Sequence, residues 1–193
     1  MKNIFISGEP RCGKTTLIKE IIEDLKLEAG GFYTSEIREA GERIGFEIRT
    51  LNGRKGILAH KDFQSPYRVG SYKVNIKDLE EIGVSSILKV LKEGKPCTIS
   101  QKNERSQKTI QKMVRGKVII IDEIGKMEMK SSKFKQAVLA ALASENRVLG
   151  TLKLTPDSFT DKVRKRKDVK IFYLTKENKE EVKKEIIKNY QPR

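Results

Sequence analysis

The sequence has no tryptophan, one histidine, two cysteines and five prolines, and aromatic residues make up only 6% of it. Each shortage removes a class of function. Cys12 and Cys97 have no metal-ligand spacing and cannot make a disulfide framework, which points to a reducing cytosol and a cytoplasmic location. His60 stands alone and reads as structural. No apolar run approaches the roughly 18 residues that a membrane helix needs, so no membrane role is expected. The N-terminus passes after one lysine into "NIFIS", too short for a signal peptide and without a small-residue cleavage site. Internal repeats and low-complexity linkers are absent as well.

Positive charge, by contrast, is abundant. Lysine and arginine number 41 against 26 acidic residues, a net charge of +15. That excess suits an anionic partner: a nucleotide, a nucleic acid or an acidic protein face. The lysines are scattered, so the same charge also reads as a solvated surface of the kind found in heat-adapted proteins. A chain of 193 residues, 37% hydrophobic, suits one domain spanning 1–193 with a modest core. A monomer is the simplest expectation.

Hydrophobic spacing gives the element order. Residues 3–7 read as a buried strand. Residues 14–26 place Leu17, Ile18, Ile21, Ile22 and Leu25 at helical spacing, with Gly30 and Gly31 expected to stop the helix. Residues 32–60 read as antiparallel strands joined at "EAGE" and "NG". A helix weakened by Gly83 is expected over 76–92. "KVIIIDE" has the solid apolar run of a central parallel strand. After it come helices near 131–143, 158–166 and 176–189, alternating with strands 147–152 and 169–174. Strands alternating with helices predict an α/β fold in three layers: a mostly parallel sheet with helices on both faces, and a small antiparallel extension at 32–60.

Two stretches carry chemistry. "GEPRCGKTT" comprises Gly8, Glu9, Pro10, Arg11, Cys12, Gly13, Lys14, Thr15 and Thr16, between the first strand and the first helix. Its glycines allow successive backbone N–H groups to face phosphate oxygens, and the helix start adds the positive end of its dipole. Lys14 suits the β- and γ-phosphates, and the Thr15 hydroxyl suits magnesium. The second stretch ends a strand that is expected to lie beside the first. It runs through Ile119, Ile120, Ile121, Asp122, Glu123, Ile124, Gly125 and Lys126. Asp122 is the expected partner of Thr15 at Mg2+. Glu123, pointing to the other side of the strand end, suits a base that prepares an attacking water, with Glu128 as its rival. Lys14 and Glu123 are thus the candidate catalytic pair.

"GEPRCGKTTL", "GFYTSEIRE", "RIGFEIRTL", "VGSYKVN", "VIIIDEIGKMEM", "KFKQAV" and "GTL" follow one another in an order that resembles the thermophile-type nucleoside-triphosphatases. This P-loop family includes a human cancer-related nucleoside-triphosphatase. The resemblance covers nearly the whole chain. It implies hydrolysis of ATP, GTP and other nucleoside triphosphates to diphosphate and phosphate, with Mg2+ and little base preference. It also implies that residues 8–15 and 119–126 are the nucleotide-contacting segments.

The chain departs from the family pattern in two places. Arg11 stands where that loop usually has a small residue; it reads either as a solvent-facing side chain or as an arginine finger in cis. The basic segment 93–117 is longer than the family norm and places Arg105, Lys108, Lys112 and Arg115 on one helix face. It reads as a solvated surface, a lid or a nucleic-acid contact. Slow basal turnover is expected. A rate well above about 1 per second calls for a cis arginine, with Arg11, Arg105, Arg115 and Arg164 as candidates. Two alternatives stay open: a nucleoside or nucleotide kinase on the same fold, and a nucleic-acid-binding module that uses the triphosphate as a switch. Tyr33, Tyr67 and Tyr72 read as packing residues or base-stacking platforms.

Overall fold

A computed structural model describes residues 2–93 and 117–190. Most of the basic segment, with Cys97, Arg105, Lys108, Lys112 and Arg115, lies outside the described residues. Among those described, nine strands form one sheet in the order β5-β6-β4-β3-β2-β7-β8-β1-β9. Five of them make a parallel half: β2 (Ala29–Glu39), β7 (Val118–Ile124), β8 (Arg147–Leu152), β1 (Asn3–Gly8) and β9 (Val169–Leu174). Strands β3 (Glu42–Thr50), β4 (Lys55–His60), β6 (Tyr72–Val74) and β5 (Arg68–Val69) continue the sheet from β2 as an antiparallel wing.

The continuous apolar runs are explained by burial on both faces. Consecutive strand residues point to opposite sides. In β7, Val118 and Ile120 join one core and Ile119 and Ile121 the other. Each such fully buried side chain stabilises the fold by about 1.5–3 kcal/mol. Helices α1 (Lys14–Asp24) and α6 (Lys179–Tyr190) cover the first face through Leu17, Ile18, Ile21, Val182 and Ile186. The second face is covered by α3 (Ser85–Glu93), α4 (Ser132–Ala143) and α5 (Ser158–Arg164). The three-layer α/β expectation holds. No helix among the described residues is long and apolar enough to cross a membrane.

Four local expectations change. The first helix stops at Asp24, and Gly30 and Gly31 belong to β2 instead. They are there for close packing: an added Cβ would sit 2.4 Å from Val90 at Gly30, and 2.1 Å from the Ile120 carbonyl oxygen at Gly31. The antiparallel wing reaches Val74, beyond residue 60, through strands too short to show a period. The helix expected at 76–92 changes pitch. A short α2 (Ile76–Asp78) passes into a π-helical stretch, Leu79–Val84, before α3. Gly83 falls in that stretch, where a side chain would meet Ile48 at 2.7 Å. Finally, β7 is not beside β1, because β8 lies between them.

Candidate functional site

The carboxyl ends of the parallel strands bring the two chemical segments together. The chain leaves β1 at Gly8, turns through the loop and enters α1. Gly8 is seated so closely on the last strand that a Cβ would lie 2.3 Å from the Leu174 carbonyl oxygen. Gly13 has φ 98°, a left-handed conformation that favours glycine, and open space around its α-carbon. It caps α1 without any side-chain hydrogen bond, so the first-turn N–H groups remain available to an anion. Lys14 folds over the loop, its Nζ donating to the carbonyls of Gly8 and Glu9 at 2.9 Å each. Cys12 is buried and fills space against the Gly8 turn.

Asp122 meets this loop despite the intervening strand. The Thr15 hydroxyl donates to Asp122 Oδ2 at 2.7 Å, and the Thr151 hydroxyl of β8 donates to Oδ1 at 2.6 Å. The carboxyl is 2% exposed, and this burial raises its pKa, opposed by the two threonine hydrogen bonds and the charges of Lys14 and Lys19. Sequence reasoning missed Thr151. It lies 29 positions from Asp122, and only the insertion of β8 between β1 and β7 makes it a neighbour. A gap of strand order, not of spacing, hid it.

Glu123 follows in a bulge. Ile121 pairs with Gly150 and Ile124 with Leu152, so two residues of β7 oppose Thr151 alone. Strict alternation is therefore lost between Ile121 and Ile124, so alternation alone no longer sets which side of the strand Glu123 takes relative to Asp122. Burial raises the Glu123 pKa; Lys14 and Lys153 pull it down while Asp122 pushes it up. The carboxyl thus lies within the field of the loop lysine. Glu128 is more deeply buried, accepts a hydrogen bond from the Gly125 N–H at 3.1 Å, and is pushed up to about 8 by burial and by the charge of Glu123. Burial thus raises both acids, and the charge of Lys14 opposes the rise at Glu123.

The other candidates separate. Arg164 donates to the carbonyl oxygens of Lys153 at 2.6 Å and Leu154 at 3.4 Å, so it holds the loop after β8. Arg11 extends from the phosphate loop to Glu36 of β2. Tyr33 pairs in register with Asp122 and carries Lys19 over its ring, while Tyr72 packs on Phe46 and Arg43. His60 accepts from the Asp62 N–H in a turn. Lys126 is exposed beside Gly125.

Thr15 and Asp122 offer hard oxygens to a cation. Among the described residues no three histidine, cysteine or acidic side chains converge as a protein-only cage. Two oxygen ligands beside a phosphate loop suit Mg2+, which retains waters and takes phosphate oxygens. The sequence model of the NTPase family matches residues 3–187. The chain belongs to that family. It is 47% identical to nucleoside-triphosphatase THEP1 of Thermotoga petrophila, over 95% of this chain and 90% of the relative. It is 37% identical to the human cancer-related nucleoside-triphosphatase, over 96% and 95% of the two chains. The crystal structure of THEP1 from Aquifex aeolicus superposes with TM-score 0.80 at 35% identity, covering 98% of this chain and 99% of that one. The solution structure of the human protein gives 0.76 at 33% identity, covering 99% and 98%.

Proposed function

We propose that this NTPase-family chain acts as one unit, a nucleoside-triphosphatase that requires Mg2+, takes ATP, GTP and other nucleoside triphosphates, and turns over slowly. The observation that carries this reading is the convergence of Thr15 and Asp122 at 2.7 Å, beside a helix start with uncapped N–H groups. Membership in a family with nucleoside-triphosphatase relatives supplies the reaction.

Residues 8–16 wrap the phosphates. Their amides and the α1 dipole compensate the negative charge, and Lys14 leaves the Gly8 and Glu9 carbonyls for the β- and γ-phosphates. Thr15 and Asp122 would hold Mg2+, which neutralises charge developing on the phosphate oxygens. Thr151 holds Asp122 in place from β8. Glu123 orients water for attack on the γ-phosphorus and takes up its proton. The bond from that phosphorus to the bridging oxygen breaks, leaving diphosphate and inorganic phosphate. Residues 119–121 fix the register of the two acids.

Phosphate release from a panel of triphosphates, with and without Mg2+, tests this for wild type, Lys14→Ala and Glu123→Gln. Glu123→Gln should bind nucleotide as before and lose roughly 10²- to 10⁴-fold in rate. Wild-type turnover should stay below about 10⁻² per second. Unchanged hydrolysis in Glu123→Gln would remove the glutamate from its role. Transfer to an added nucleoside in place of release would make the chain a kinase, and stimulation by RNA would favour a nucleic-acid partner.

A further inference from the structure

The loop residue that departs from the family pattern has an unusual setting. Arg11 has φ 65°, the left-handed conformation in which glycine is at ease. Its side chain, 67% exposed, crosses to Glu36 Oε2 at 3.5 Å. Glu36 lies in the overhang of β2: pairing with β7 ends at Tyr33, and residues 34–39 run on past the carboxyl edge with β3. At about 3.3 Å per residue this overhang stands roughly 20 Å beyond the edge where the phosphate loop lies.

Three arginines share the Glu36 carboxylate. Arg38 grips Oε2 through Nε at 2.9 Å and Nη2 at 2.6 Å, and Arg43 takes Oε1 at 2.7 Å. Both have second anchors: Arg38 donates to the Gly41 carbonyl at 2.7 Å, and Arg43 donates to the Tyr72 hydroxyl at 3.0 Å and stacks on Phe46. Among the described residues Arg11 has Glu36 as its only partner, at the longest distance of the three. Burial works to raise the Glu36 pKa, but hydrogen bonds from Arg43 and Arg38 and the charge of Arg11 bring it below the usual glutamate value. Glu36 therefore stays ionised and satisfied when Arg11 leaves, and the exposed contact given up is a weak one. Of the three arginines, only Arg11 is rooted in the loop that wraps the phosphates.

The geometry points to Glu36 as the resting place of Arg11, from which a bound triphosphate draws the guanidinium to the γ-phosphate, making Arg11 a catalytic residue and Glu36 the positioning residue that limits its transfer. This rests on the nucleoside-triphosphatase reading above. It predicts a resting restraint on turnover that is removable without touching Lys14, Asp122 or Glu123. No covalent step is added; the arginine stabilises charge on the transferring phosphoryl group.

The test is a double-mutant cycle in Mg2+–ATP hydrolysis, with the affinities of ADP and a non-hydrolysable ATP analogue measured beside it. Glu36→Gln should raise kcat two- to fivefold. Arg11→Ala should lower kcat at least tenfold and weaken the ATP analogue while leaving ADP within twofold. The double variant should behave as Arg11→Ala alone, with the gain from Glu36→Gln gone. Circular dichroism of both single variants checks that the hairpin keeps its strands. The inference fails if Glu36→Gln leaves kcat unchanged or lower, or if its gain persists without Arg11. Such a failure alongside normal wild-type hydrolysis leaves the triphosphatase reading standing. A wild type that releases no phosphate ends both.

Discussion

The two halves of the sheet divide the labour. In the parallel half every strand ends on the same edge, so loop, dipole, hydroxyl and carboxylate collect there from segments more than 100 positions apart: Thr15 meets Asp122 across 107. The antiparallel wing has no such edge, because its neighbouring strands reverse direction. It presents instead a ladder of cross-strand side chains, and Glu36 pairs in register with Phe46. Direction of travel thus decides which half concentrates chemistry and which half supplies a wall.

The sharpest way to break this division is to compare losses of rate. Lys14→Ala should reduce phosphate release by about 10²–10³-fold, the scale for removing one preorganised charge-stabilising donor. Arg43→Ala, in the wing, should change it by less than about tenfold. Equal losses would place the wing inside the reaction.

A second test uses pH. The unfolded chain ionises Glu128 near the ordinary glutamate value, while the folded chain keeps the proton until about pH 8. The folded state therefore binds more protons across that window, and stability falls as pH rises through it. Thermal melts of the wild type should lose several degrees between pH 5 and pH 9. Glu128→Gln should flatten that slope and melt higher at pH 9, since its amide oxygen can still accept from Gly125.

Smaller effects sharpen the contrast. Asp157 caps α5, accepting from the N–H groups of Phe159 and Thr160. Its alanine variant should cost about 1 kcal/mol, or a melting drop of about 2–4 °C. Tyr72→Phe removes one anchor of Arg43 in the wing. It should cost about 0.5 kcal/mol with phosphate release unchanged.

What the residues disclosed follows the range of the forces involved. The phosphate loop was legible because its glycines, lysine and threonine act within a single turn of chain. The β7 run was legible because burial on both faces leaves every position apolar. Thr151 and Glu36 were not legible as partners of Asp122 and Arg11, since those contacts exist only after strand order is set. Gly30 and Gly31 misled for a related reason. Their lack of a side chain serves contact with Val90 and Ile120, which resembles a helix stop when read along the chain. The short wing strands β5 and β6 carry too few residues to display alternation.

The sheet order also governs how the strands meet as the chain is made. The first strand is flanked by β8 and β9, and Gly8 rests on the carbonyl of Leu174. Strand β1 thus has no strand partner until β8, and then β9, have been made. Its phosphate-wrapping turn is built early and seated late. A nascent chain released before β9 would carry the whole nucleotide fingerprint with β1 paired on one side only, through β8.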